Sequence, residues 1–167
     1  MAENEKLIEQ RCCELLKARG MTFAAAESCT GGLIAKRITD VPGASLVFMG
    51  GVVSYTNAVK QHVLGVPASL LETYGAVSAP VARGMAMGVR ILTGSDLALS
   101  VTGLAGPAGD DRGSPVGTVF TALSTPQGVF VRQLALGGDR ERIRTLSTHH
   151  ALDLLRRYLT DQMTGGE

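Results

Sequence analysis

Ala24-Ala25-Ala26-Glu27-Ser28-Cys29-Thr30-Gly31-Gly32 passes from small apolar residues into a polar turn and then into paired glycines. Residues 22–26 read as a short buried strand, and residues 33–39 as the helix that follows it. A strand-to-helix turn gathers unpaired backbone N–H groups at one point, where an anion or a developing oxyanion is stabilised. A nucleophile at Ser28 would stand beside such a hole. Taken alone, the stretch reads more simply as a helix cap, because serine is a preferred N-cap and paired glycines serve tight strand–helix packing. A catalytic reading needs a base and a pocket from elsewhere in the chain.

Working outward, residues 4–18 carry Leu7, Ile8, Cys12, Leu15 and Leu16 at helical spacing, and Gly20 closes that helix. After the breaker Pro42-Gly43, residues 46–55 read as a second strand whose Gly50-Gly51 suggests a bulge or a close approach. Thr56-Asn57 opens a short helix bearing Lys60, and another short helix starts at Pro67. Ser78 caps a longer helix to about Leu92, in which Gly84 and Gly88 allow close packing. Residues 96–102 form a third strand that runs into a long glycine-rich loop. Residues 117–125 and 129–136 pair as a hairpin, and Asp139 caps a last helix over residues 140–159. The tail Gly165-Gly166-Glu167 is expected to be disordered. Helices alternating with strands, then a hairpin, predict an α/β fold: a single-domain three-layer α/β/α sandwich with a mixed sheet, spanning residues 1–167 with a core of roughly 5–160.

Composition narrows the function. The 167 residues are 45% hydrophobic and 19% charged, enough for one well-packed domain. A net charge of +1 without a basic stripe argues against nucleic acid as a partner. No apolar run is long enough to span a membrane, so the expected location is the cytoplasm. Cys12, Cys13 and Cys29 give neither a disulfide framework nor zinc-ligand spacing, and His149-His150, adjacent on a helix, point apart. No metal and no cofactor is expected.

In α/β sheets ligands bind at the carboxyl ends of the strands. Three such ends are polar here: Ser28, then Ser54-Tyr55-Thr56, then Ser100 and Thr102 with the loop Gly103-Leu104-Ala105-Gly106. A serine nucleophile needs a neighbouring base. The histidines sit badly for this, whereas Lys60 follows the second strand by less than two helical turns. A lysine serves as a base only if its pKa is lowered; an isolated one is more simply a solvated surface residue. Tyr55 reads as a residue that orients Lys60 or contacts a ring, or as a half-buried strand aromatic. Thr102 reads as a hydrogen-bond partner of the serine or lysine, or as a turn residue. Glu27 suits a helix N-terminus. Cys29 is a rival nucleophile, ranked below Ser28. The glycine loop could cradle a phosphate, and Arg140, Arg142 and Arg144 could bind one or lie on a solvated helix face.

Taken together, Ala26-Glu27-Ser28-Cys29-Thr30-Gly31-Gly32, Ser54-Tyr55-Thr56-Asn57 with Lys60, Gly75-Ala76-Val77-Ser78, Thr102-Gly103-Leu104-Ala105-Gly106-Pro107, Pro115-Val116-Gly117-Thr118-Val119 and Gly138-Asp139-Arg140 resemble the CinA C-terminal domain family. Its stand-alone members include nicotinamide-nucleotide amidohydrolases. The resemblance covers roughly residues 5–160. It implies a hydrolase that deamidates nicotinamide mononucleotide to nicotinic acid mononucleotide and ammonia, a pyridine-nucleotide salvage step. It implies Ser28 as nucleophile and Lys60 as base, with Tyr55 and Thr102 in the active site. Cys29, Thr30, Gly31 and Gly32 would surround the reacting carbonyl, Gly103, Ala105 and Gly106 would line the substrate, and Arg142 would hold the phosphate. The partner is then a small-molecule nucleotide.

Two other readings stand beside this one: a non-catalytic nucleotide-binding or regulatory module, and an amidase for another small amide. A homo-oligomer is the expected assembly, with a face at Met85 and Met87 as a candidate contact.

Overall fold

Residues 6–163 are described by the structure, a computed structural model, so the start of the first predicted helix and the glycine tail lie outside the described residues. Helix α1 spans Ile8–Arg19, strand β1 Phe23–Glu27, helix α2 Leu33–Thr39 and strand β2 Phe48–Val53. Helices α3 (Asn57–His62), α4 (Ala68–Tyr74) and α5 (Ala79–Thr93) follow. Strands β3 (Leu97–Gly103), β4 (Thr118–Thr125) and β5 (Gly128–Ala135) and helix α6 (Arg140–Leu159) complete the chain.

The five strands form one sheet in the order β2-β1-β3-β4-β5. β1 runs parallel to both β2 and β3, while β4 and β5 are antiparallel additions. Side chains alternate across a strand, so β1 feeds both faces. Phe23 and Ala25 meet Cys12, Leu16, Ile34, Ile38 and Leu152 of α1, α2 and α6, whereas Ala24 and Ala26 meet Val81, Met85 and Val89 of α5. That arrangement is the three-layer α/β/α sandwich with a mixed sheet that the pattern predicts.

Several local expectations change. The second strand begins at Phe48 because Leu46 lies in a single 3₁₀ turn over Ala44–Leu46, set by Gly43 at φ +80° after Pro42. Its glycine pair does mark a bulge: Phe23 pairs with Phe48 and Ala24 with Gly50, which leaves Met49 as the extra residue. Ser28 does not cap α2; Gly32 occupies that position at φ +108°. Ser78 stands at the N-cap of α5 but its hydroxyl donates to the Gly75 carbonyl instead. Gly88 is the close approach that the sequence suggests, since a Cβ there would run into the Leu64 carbonyl, whereas at Gly84 it would make ordinary contacts with Val66. Met85 and Met87 share no face: Met85 is wholly buried and Met87 is exposed, as residues two apart on a helix must diverge.

Candidate active site

The parallel strands deliver their carboxyl ends to one place. β1 ends at Glu27, so Ser28 emerges there, its N–H donating to the Val101 carbonyl of β3. β2 ends at Val53, and the Ser54 N–H donates to the Glu27 carbonyl at 2.7 Å. β3 ends at Thr102 and Gly103. A cleft of about 200 Å³ opens among these ends, lined by Ser28, Cys29, Tyr55, Lys60, Thr102 and Arg140, with Ala76, Gly103 and Ala105 in its wall.

Lys60 is 1% exposed, an unusual place for an ammonium group. The Thr56 hydroxyl accepts from the Val59 N–H and starts α3, which turns Lys60 inward. Its Nζ lies 2.9 Å from Ser28 Oγ and 2.6 Å from the Ser54 carbonyl oxygen. Burial pushes its pKa down from 10.5 to about 8. Among the described residues no carboxylate pairs with it, so about a tenth of Lys60 is neutral at pH 7 and about half at pH 8. Nucleophile and base are thus within hydrogen-bond reach, with the base oriented by a backbone carbonyl.

The turn after Ser28 is held from within. The Glu27 carboxylate accepts from the Thr30 hydroxyl at 2.7 Å and from the Ile34 and Ala35 N–H groups at 2.9 and 3.1 Å. The start of α2 is therefore filled by the protein's own anion, as the sequence placed Glu27. The Gly31 N–H donates back to the Ser28 carbonyl at 3.0 Å. Among the described residues the Thr30 N–H has no acceptor. The Cys29 thiol lines the cleft, yet burial pushes its pKa up to about 11, so it stays protonated and is a poor nucleophile.

The remaining candidates separate. Thr102 is buried beside the cleft, but its hydroxyl donates to the Ala76 carbonyl at 2.8 Å rather than to Ser28 or Lys60, so it pins the wall. Tyr55 is exposed at the mouth, and its hydroxyl accepts from Arg140 Nη2 at 2.9 Å. Arg140 also donates to the Gly106 carbonyl, which binds the glycine loop to the start of α6. Gly103 and Ala105 line the cleft, whereas Thr30, Gly31, Gly32 and Gly106 do not. Arg142 does not line it: its N–H is held by the Asp139 cap and its stem lies against Gly138. Of the three arginines that open α6, Arg140 is the one that lines the cleft. Residues four apart share a helix face and residues two apart do not, so the spacing 140, 142, 144 already pairs the outer two. Ser54 and Ala76 lie in stretches that the sequence singles out, but it leaves unmarked that the Ser54 carbonyl orients Lys60 and that Ala76 forms part of the wall.

The described residues contain no cluster of three or more His, Cys, Asp or Glu able to hold a metal ion, and no helix long and apolar enough to cross a membrane.

A mixed-sheet α/β/α domain with a buried Ser–Lys pair at the carboxyl ends of its parallel strands is the class that fold and site define. The model of the CinA C-terminal domain matches residues 5–159, and the chain belongs to that family. A CinA-like protein of Geobacter sulfurreducens is 52% identical over 159 residues, which are 95% of this chain and 38% of the relative. A CinA-like protein of Desulfotalea psychrophila is 56% identical over 87% of this chain and 35% of its own length. The chain thus spans little more than a third of these curated relatives. Among solved structures, the competence damage-inducible protein A of Klebsiella pneumoniae superposes with a TM-score of 0.91 at 31% identity, covering 93% of this chain and 97% of that one. The competence/damage inducible protein CihA of Agrobacterium tumefaciens gives 0.85 at 37% identity, covering 92% and 95%.

Proposed function

We propose that the domain is an amidohydrolase that cleaves the carboxamide of nicotinamide mononucleotide by a Ser–Lys mechanism. The observation that carries this reading is the 2.9 Å contact between the Ser28 hydroxyl and a buried lysine whose pKa lies near 8. Neutral Lys60 takes the hydroxyl proton as Ser28 Oγ attacks the amide carbon. The resulting Lys60 ammonium passes a proton to the departing nitrogen, and ammonia leaves an acyl-serine. Water, activated by the same amine, then releases the acid and restores Ser28.

At about 200 Å³ the cleft is smaller than the ~300–1,000 Å³ of sites that swallow a drug-sized ligand. It suits an aromatic carboxamide head, while a ribose phosphate would remain at the mouth. Arg140 and Tyr55 stand there, and a guanidinium is well matched to a phosphate. The substrate itself is inferred from the family resemblance.

Ammonia release from nicotinamide mononucleotide by the wild-type protein, Ser28→Ala and Lys60→Ala is the test. Turnover lost in both folded variants supports the reading. Turnover that survives Ser28→Ala overturns the serine mechanism, and a wild type that binds the nucleotide without cleaving it turns the domain into a binding module. Cleavage of free nicotinamide in preference to the nucleotide moves the substrate to another small amide.

A further inference from the structure

Asn57 is the first residue of α3, and its side chain lines the cleft. It precedes Lys60 by three residues, so the two share a helix face, with Cβ atoms about 5–6 Å apart. They differ in depth: Lys60 is buried at the floor, whereas Asn57 is exposed. One short helix therefore carries the base below and an uncharged amide about one turn further out.

The other polar side chains of the cleft are engaged with the protein. Lys60 donates to Ser28 Oγ and to the Ser54 carbonyl. Thr102 donates to the Ala76 carbonyl, and Arg140 donates to the Tyr55 hydroxyl and the Gly106 carbonyl. The protonated Cys29 thiol is only a weak donor. The Asn57 amide has no hydrogen-bond partner among the described residues. It presents a carbonyl acceptor and an NH2 donor side by side. Two vicinal hydroxyls, each able to give and to accept a proton, match both. A phosphate accepts only and would use half of the pair.

Depth decides which part of a nucleotide meets this amide. With the carboxamide carbon at Ser28, the pyridine ring faces the apolar wall of Ala76, Val77 and Ala105. The ribose joins the ring nitrogen, meta to the carboxamide, so it begins about one ring width above the reacting carbon. That is further out than Lys60, on the side where Asn57 stands.

We propose that Asn57 is a specificity-determining residue: its side-chain amide binds the vicinal hydroxyls of the substrate's ribose and so favours a ribosylated carboxamide over a free one. This rests on the Ser–Lys amidase reading. The contact is made equally in the bound substrate and in the transition state, so it acts on KM more than on kcat.

The test is a cycle between protein and ligand. Calorimetry measures binding to Ser28→Ala, with and without Asn57→Ala, of nicotinamide mononucleotide and of its dideoxyribose analogue. With Asn57 present, loss of the hydroxyls should weaken binding by about 10-fold, the worth of one or two net hydrogen bonds. Asn57→Ala should weaken the parent nucleotide by the same factor and leave the analogue unchanged, the non-additivity of groups in contact. Equal weakening of both ligands by Asn57→Ala overturns the proposal, since the residue would then read the head group or support the fold. An equal penalty for the missing hydroxyls in both proteins overturns it too. A nucleotide that binds neither protein removes it together with the nucleotide reading. In the otherwise unaltered chain, Asn57→Ala should raise KM more than it lowers kcat. Failure of the Ser–Lys mechanism looks different: Ser28→Ala would retain turnover, and the hydroxyl coupling would still be read from the KM values of the Asn57→Ala single variant.

Discussion

The two halves of the sheet end very differently. On the parallel side, β1, β2 and β3 point the same way, and their ends bring Ser28, Tyr55 and Thr102 within one cleft. On the antiparallel side, β4 and β5 are joined by the tight turn Pro126-Gln127, with Thr125 paired to Gly128. The open depression there, lined by Arg19, Gln127, Phe130, Tyr158 and Asp161, pairs no nucleophile with a base. Strand direction explains the contrast. Parallel strands gather equivalent ends and leave connections to be filled by turns and helices, whereas a hairpin spends its end on closing itself. The chemistry therefore collects on one half, and the other half completes the hydrophobic layers.

That comparison breaks most sharply at the Ser–Lys pair. Ser28→Ala and Lys60→Ala should each lower amide turnover by about 10⁴-fold or more, with circular dichroism unchanged, as for nucleophile and base in other acyl-transfer sites. In the wild type, kcat/KM should rise with pH and level off above about 8, because only neutral Lys60 accepts the proton. The same burial disfavours the folded state. With the folded pKa below the unfolded one, the unfolded chain binds more protons between about 8 and 10.5, so Lys60 destabilises the fold most below pH 8. Lys60→Met should raise the melting temperature at pH 7 by relieving up to ~3 kcal/mol. The gain should shrink as pH rises towards 10.5. A melting temperature lowered equally at both pH values would contradict this.

Behind the pair, Gly88→Ala should force α5 away from the Leu64 carbonyl just after α3. Denaturant titration should show a loss of about 1–3 kcal/mol, typical of overpacking, and the displaced α3 should lower turnover as well. Arg112 fastens the long loop to the carboxyl end of α4 through the Glu72 and Thr73 carbonyls. Its replacement by alanine should cost about 1 kcal/mol and act on KM more than on kcat, since the loop leads out of the cleft wall. On the antiparallel side, Gln127→Ala removes a bond from the Tyr158 hydroxyl at the hairpin turn. Stability should move by no more than ~0.5 kcal/mol and turnover should not change. An effect on turnover there would mean that the halves are coupled.

Much of this division was legible in the chain. Alternating helical and apolar stretches, with Gly20 and Pro42-Gly43 as breaks, outlined the layers. The polar residues just past three strands located the cleft. That Lys60 could reach the mouth was legible as well, because α3 starts only a few residues after β2; its meeting with Ser28 was not, since that needs β1 to lie beside β2. The arginines were not. All three lie in the first turns of α6, and only the docked angle of that helix brings Arg140 to the mouth and Arg144 behind the turn. The order of Cys29 and Ser28 as nucleophiles also needed the surroundings, since a helix start favours a thiolate and burial opposes it; here burial dominates.

The sequence by itself determined the elements, their α/β order and the residue types that can carry acyl transfer, because these follow from local periodicity, turn chemistry and covalent spacing. Only the tertiary structure decided the strand order, the 2.9 Å meeting of Lys60 with Ser28, the lowered lysine pKa and the placing of Arg140, rather than Arg142, in the cleft wall. Those depend on groups distant in the chain and on the exclusion of water, which no local pattern encodes.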